Sequence, residues 1–120
     1  MANEPLFDRG ATLDNLGQDL DLMRLMAQTF IDDVPRMFAE LRTELSRGDA
    51  AAAVRASHNL KGSVANFGAA PLVGLVRALE LDCRAAELAE VAARVDEAER
   101  LAADLVAELR REVSGPAAPD

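Results

Sequence analysis

The residues of this chain that could do chemistry gather around one histidine. His58 is the sole imidazole in the sequence, so mechanisms that need two, including the two-histidine metal helix of zinc hydrolases, are excluded. Cys83 is the sole thiol, which leaves neither a disulfide framework nor a thiolate zinc site and makes it a small core residue. No Gly-rich loop of the G-x-x-x-x-G-K type is present, so the chain has no visible means of binding its own nucleotide. Whatever His58 does therefore uses a group brought by a partner. On a helical projection Arg55 and Lys61 lie about 60° to either side of it, with Gly62, Ala51, Ala65 and Val54 between them. The patch is flat and low in bulk, as a surface that receives another folded domain would be. Two cations beside an imidazole oppose its protonation and favour the neutral, nucleophilic ring. The same cations would stabilise a phosphoryl group arriving there, since transfer of that group is chiefly positioning and charge stabilisation. Gly62, one turn after His58, puts no side chain in the way.

The element that must position these residues is a helix beginning at Asp49, an N-cap, and ending at Gly68 after Asn66 or Phe67. Its small and apolar residues Ala56, Phe67, Leu60, Ala53, Val64 and Ser57 fill an arc from about 160° to 260° around from His58. That arc is the predicted core face, and His58 points away from it, toward solvent. Around this helix the chain reads as all-α, because apolar residues recur at three-and-four spacing and strand formers are few. Met23, Met26, Phe30, Val34, Met37, Leu41 and Leu45 mark the buried face of a long helix from Asp19 to Arg47, with a kink or break expected near Asp32 to Val34 ahead of Pro35. A short helical turn from Thr12 to Gly17, capped by Thr12 or Asp14, precedes it. Pro71 fits the first turn of a further helix. Its stripe of Leu72, Val76, Leu79 and Cys83 is out of register with Leu88, Val91, Val95, Ala98, Leu105 and Leu109, so a turn is predicted near Arg84 to Glu87. Four helices joined by short connections make an antiparallel four-helix bundle, here with a short additional N-terminal helix. Residues 1–113 form one domain, and residues 114–120, with nothing to bury, are expected to be a disordered tail.

The 120 residues carry 13 basic and 21 acidic side chains, a formal charge of −8. Such a chain repels nucleic acid and anionic membrane surfaces, so neither is expected as a partner. No basic stretch followed by an apolar run opens the sequence, and no apolar span is long enough for a membrane helix. With the single thiol, this fits a reducing, cytoplasmic setting. Residues 49–68 hold Arg55 and Lys61 against Asp49. The segment bearing the histidine is thus net positive in an acidic chain.

The run His58-Asn59-Leu60-Lys61-Gly62, then five residues, then Gly68-Ala69 resembles the motif of histidine-containing phosphotransfer (HPt) domains, H-x-L-K-G-x-x-x-x-x-G-A. Even five of these six fixed residues at fixed spacing arise by accident at a given start with odds of only ~10⁻⁶. Phe7-Asp8, Asp19 with Leu22, Phe30 to Pro35, and Leu79-Glu80 are also similar to the family. The sequence departs from it at Ser57, where alanine is frequent, and in lacking a glycine at the turn near residues 84–87. The resemblance implies that His58 is phosphorylated on a ring nitrogen and relays the group to or from aspartates of response-regulator receiver domains, within a phosphorelay fed by a sensor or hybrid histidine kinase. It implies Lys61 as the electrostatic partner of the phosphoryl group, Gly62 as a clearance position, Leu60 as an anchor and Gly68 as the residue that permits the closing turn. No cofactor or metal is expected in this chain, since no carboxylate cluster accompanies His58; magnesium is expected in the receiver partner. A monomer is expected. Two other readings fit the same residues: the phosphotransfer domain of a chemotaxis-type histidine kinase, and a helical adaptor that binds receivers without transferring.

Overall fold

A computed structural model describes residues 5–116. Among them the chain forms α1 (Arg9–Asn15), α2 (Leu20–Ser46), α3 (Ala50–Ala65), α4 (Ala70–Arg84), a single 3-10 turn (Leu88–Glu90) and α5 (Val91–Val113), with no strand. Helices α2 to α5 pack in a ring, α2 on α3, α3 on α4, α4 on α5 and α5 back on α2. The short links between them make neighbours antiparallel, so the fold is the all-α four-helix bundle with one short helix ahead of it. None of the described helices is long and apolar enough to cross a membrane.

The core is built by the helical stripes. Phe30, Val34, Phe38 and Leu41 from α2 meet Leu60 and Val64 from α3, Leu72, Val76 and Leu79 from α4, and Val95, Leu105 and Leu109 from α5. Met26, Met37 and Leu45, placed on the buried face by their spacing, are only half-buried, while Ala27, Ile31 and Phe38 are buried instead. Met23, Phe30, Val34 and Leu41 are buried as predicted, so the core-facing stripe of α2 is turned by only about 30° about the helix axis, where α2 packs against both α3 and α5. Helix α2 also runs unbroken through Pro35. The ring of Pro35 is exposed while Ile31, Val34 and Phe38 are buried on both sides of it, and their packing outweighs the single backbone donor that proline removes.

The N-terminal helix begins earlier than predicted. Its N-cap is Asp8, whose carboxylate accepts from Ala11 N at 3.0 Å. Thr12, expected as a cap, lies inside the helix with its hydroxyl bonded to Asp8 O at 2.8 Å and near Asn66 O at 3.3 Å. This segment is fastened by tertiary contacts. Asp8 N donates to Phe67 O at 2.8 Å, Phe67 stacks edge-on with both Phe7 and Phe30, and Arg9 forks onto Glu112 at 3.0 and 3.1 Å.

Helix α4 ends at Arg84, within the predicted turn, and closes with Glu87 N bonded to Asp82 O and Ala86 N to Cys83 O, both at 3.0 Å. That Schellman closure requires a left-handed residue, and Ala86 supplies it at φ 58°. Ala86→Gly is therefore expected to stabilise the fold by about 0.5–1 kcal/mol, read by chemical denaturation; a loss of stability would contradict it. Beyond α5, Ser114, Gly115 and Pro116 are described, and Arg24 Nη2 donates to the Pro116 carbonyl at 2.6 Å. The rest of the predicted tail lies outside the described residues.

Candidate functional site

The helix that carries His58 starts at Asp49, whose carboxylate accepts from Ala52 N at 3.0 Å, and is followed by Gly68 at φ 79°. At Gly68 a side chain would meet a second obstacle, because a Cβ there would stand 2.5 Å from Asp8 Cβ. Between these ends Ala53, Ser57, Leu60 and Val64 are buried. Ala56, predicted in the same arc, is half-buried at its edge beside α2. Ser57 hides its hydroxyl by bonding Ala53 O at 2.9 Å and Val54 O at 3.0 Å, which satisfies the group at its own helix.

The face opposite the core carries His58, with its side chain 63% exposed. Arg55, Ala51, Gly62 and Ala65 are exposed on the same face, and Val54 and Lys61 are half-buried at its edge. Nothing lies within 4 Å of the position a Gly62 Cβ would take. Arg55 makes no ion pair among the described residues.

The sequence reading missed Glu80, the residue that organises this face. It projects from α4 and is 5% exposed, although it is a carboxylate. His58 Nδ1 lies 2.9 Å from its Oε1, Lys61 Nζ donates to its Oε2 at 2.7 Å, and Arg84 Nη2 donates to Oε1 at 3.2 Å. The hydrogen bond from Lys61, aided by those from His58 and Arg84, holds the Glu80 carboxyl far below its ordinary value of 4.5, at about 2, against the opposing effect of burial. It is ionised at neutral pH, and an ionised carboxylate can only accept. Nδ1 of His58 therefore carries a proton, and in the neutral ring the lone pair sits on Nε2. The bond fixes both the tautomer and the direction in which the unprotonated nitrogen points.

This arrangement corrects the electrostatic expectation drawn from sequence. Lys61 does not act on the imidazole as an unbalanced cation, because its ammonium is bonded to Glu80; the ring faces a carboxylate that two cations neutralise. Arg84, noted earlier only as a helix boundary, belongs to the same cluster. A signal for Glu80 was present in the sequence. It stands four residues after Val76 and three before Cys83, on the buried stripe of α4, where an ionisable residue needs a partner.

The depressed Glu80 carboxyl has a consequence for stability. A group whose folded pKa lies below its unfolded value stabilises the fold above the unfolded value and loses that contribution as pH falls through the folded one. Glu80 thus contributes up to about 3 kcal/mol at neutral pH, and this fades between roughly pH 4.5 and 2. Denaturation of the wild type and Glu80→Gln should show the variant less stable at pH 7, with the gap narrowing toward pH 3. A gap that stayed constant would contradict the assigned ionisation.

The bundle and the site together present one outward imidazole on a helical scaffold, its tautomer fixed from behind and bare helix surface around it. The Hpt domain model matches residues 25–113, and the chain belongs to that family. It is similar to histidine-containing phosphotransfer protein B (HptB) from Pseudomonas aeruginosa PAO1, whose crystal structure superposes with a TM-score of 0.84 at 27% sequence identity, covering 92% of this chain and 96% of that one. No curated protein matches the sequence. The chain is thus a histidine phosphotransfer protein of phosphorelay systems.

Proposed function

We propose that Nε2 of His58 is the atom that carries the phosphoryl group, taking it from an aspartyl phosphate of one response-regulator receiver domain and returning it to the aspartate of another, in a relay fed by a sensor or hybrid histidine kinase. The observation that carries this reading is the bond between His58 Nδ1 and Glu80, on a ring that is otherwise open to solvent. In the forward step the Nε2 lone pair forms the N–P bond as the P–O bond to the aspartyl oxygen breaks, and the aspartate leaves as a carboxylate. No proton need be removed from the nucleophile, because its hydrogen is on the other nitrogen. The phosphorylated ring keeps its Nδ1 proton and bears positive charge beside the ionised Glu80, which stabilises it. Lys61, tethered to Glu80 at one side of the ring, has donors left over for the phosphoryl oxygens. Reversal uses the same groups in the opposite order.

In this reading Ala51, Val54, Arg55, Gly62 and Ala65 receive the partner, magnesium is held by the receiver domain, and no cofactor is assigned to this chain. The protein acts as a cytoplasmic monomer. Incubation with a receiver phosphorylated on aspartate should leave it with an acid-labile, alkali-stable phosphoryl group. An acid-stable label, or none from any receiver of its own organism, would overturn the proposal. Gly62→Gln should slow this transfer on the order of tenfold by obstructing the approach, without lowering thermal stability, since glutamine favours a helix interior over glycine. Unchanged transfer rates would remove the clearance role of Gly62.

A further inference from the structure

We infer that the partner's footprint extends beyond α3 onto the exposed face of α4, where Leu81 is the apolar contact and Arg77 the cation that meets the carboxylates around a receiver's phosphorylated aspartate; this rests on the transfer reading above. The placement follows from Glu80. With Glu80 set at zero, the buried residues Val76, Cys83, Leu72 and Leu79 of α4 fall between about −40° and −100°, while Arg84, Arg77 and Leu81 fall at about 40°, 60° and 100°. Because Glu80 is bonded to His58 and Lys61 of α3, these three residues continue the surface on which His58 stands. Arg84 is physically joined to it through Glu80 Oε1.

Two features of this strip suit it to a partner, by their place beside the Glu80 cluster. Leu81 is 59% exposed, one of three large apolar side chains left so open among the described residues. Arg77, exposed one turn away, makes no ion pair among those residues; it shares this with Arg24, Arg55, Arg100, Arg110 and Arg111, but it stands on the helix that carries Glu80, one turn before it. A chain of net charge −8 thus places an unneutralised cation, a partly neutralised Arg84 and an open leucine beside its nucleophile. A receiver that carries an aspartyl phosphate and holds magnesium with carboxylates presents the complementary sign. Charges at the rim of such an encounter act mainly on association, and an apolar side chain within it on residence.

The test uses the full chain and a receiver domain that phosphorylates the wild type. Transfer rates are measured against receiver concentration for wild type, Leu81→Gln, Arg77→Glu and Arg100→Glu. Arg100 is exposed on α5 and also without an ion pair among the described residues, so its reversal makes the same change in net charge elsewhere. The first two variants should need about tenfold more receiver for half-maximal transfer, with the rate at saturation within about twofold of wild type. The effect of Arg77→Glu should shrink as salt is raised, and Arg100→Glu should match wild type. Concentration dependence unchanged in Leu81→Gln and Arg77→Glu, with the wild type still labelled, would overturn the α4 footprint and leave the transfer reading standing. The same shift in Arg100→Glu as in Arg77→Glu would reduce the charge effect to net charge and overturn the role of Arg77. A wild type that no receiver labels would remove the transfer reading itself, and the footprint with it.

Discussion

His58→Gln is expected to lose phosphoryl acceptance altogether, with label at background and a transfer rate at least a thousandfold below wild type. Glutamine keeps a polar group of similar reach on the exposed face, yet its amide nitrogen has no available lone pair to attack phosphorus. The sequence holds no second imidazole to take over. Since the ring is 63% exposed and packs against nothing in the core, the variant should fold normally, and its circular dichroism and unfolding midpoint should stay close to wild type. Retained acceptance of an acid-labile label would mean that another side chain is the carrier.

The second large effect falls on the opposite side of the same helix. Leu60→Asp should leave no cooperatively folded protein at 25 °C. Leu60 is fully buried in the core cluster; truncating such a leucine costs about 2–5 kcal/mol, and an unpaired carboxylate left in its place adds several more. The sum reaches the whole stability of about 5–15 kcal/mol that a domain possesses. Asn59→Asp, one residue away and exposed, should shift the unfolding free energy by no more than about 0.5 kcal/mol. Denaturant titration of the pair decides it: a Leu60→Asp protein with a wild-type midpoint would mean that α3 is rotated and that His58 does not face outward.

The contrast between those neighbours was legible in the sequence because it depends only on helical phase. Alternation at 3.6 residues places Ser57, Leu60 and Val64 inside and His58, Asn59 and Gly62 outside whatever the rest of the chain does, and the structure has them so. The stripes of α4 and α5 were readable for the same reason. Phase within one helix says nothing about which residue of the next helix arrives opposite. Glu80 therefore passed as part of a family-like segment, though it supplies the bond that fixes the tautomer of His58. The start of α1 was hidden for a related reason: Asp8 is held by Phe67 O and by the absence of a side chain at Gly68, partners about 60 positions along the chain. Pro35 and Ala86 show local preference yielding to packing. Buried Ile31, Val34 and Phe38 carry α2 through the proline, and Ala86 takes the left-handed conformation in the exposed turn that links the buried Cys83 to the buried Val91.

The proposed transfer has Glu80 holding the proton of His58 on Nδ1, so that Nε2 accepts the phosphoryl group. It is tested most directly by nitrogen NMR of the imidazole in protein labelled with nitrogen-15, recorded before and after phosphorylation by a receiver. The expected result is the Nδ1–H tautomer for the neutral ring and coupling between phosphorus and Nε2 in the phosphorylated protein, with the tautomer preference lost in Glu80→Gln. Phosphorus coupled to Nδ1, or a neutral ring protonated on Nε2, would contradict it.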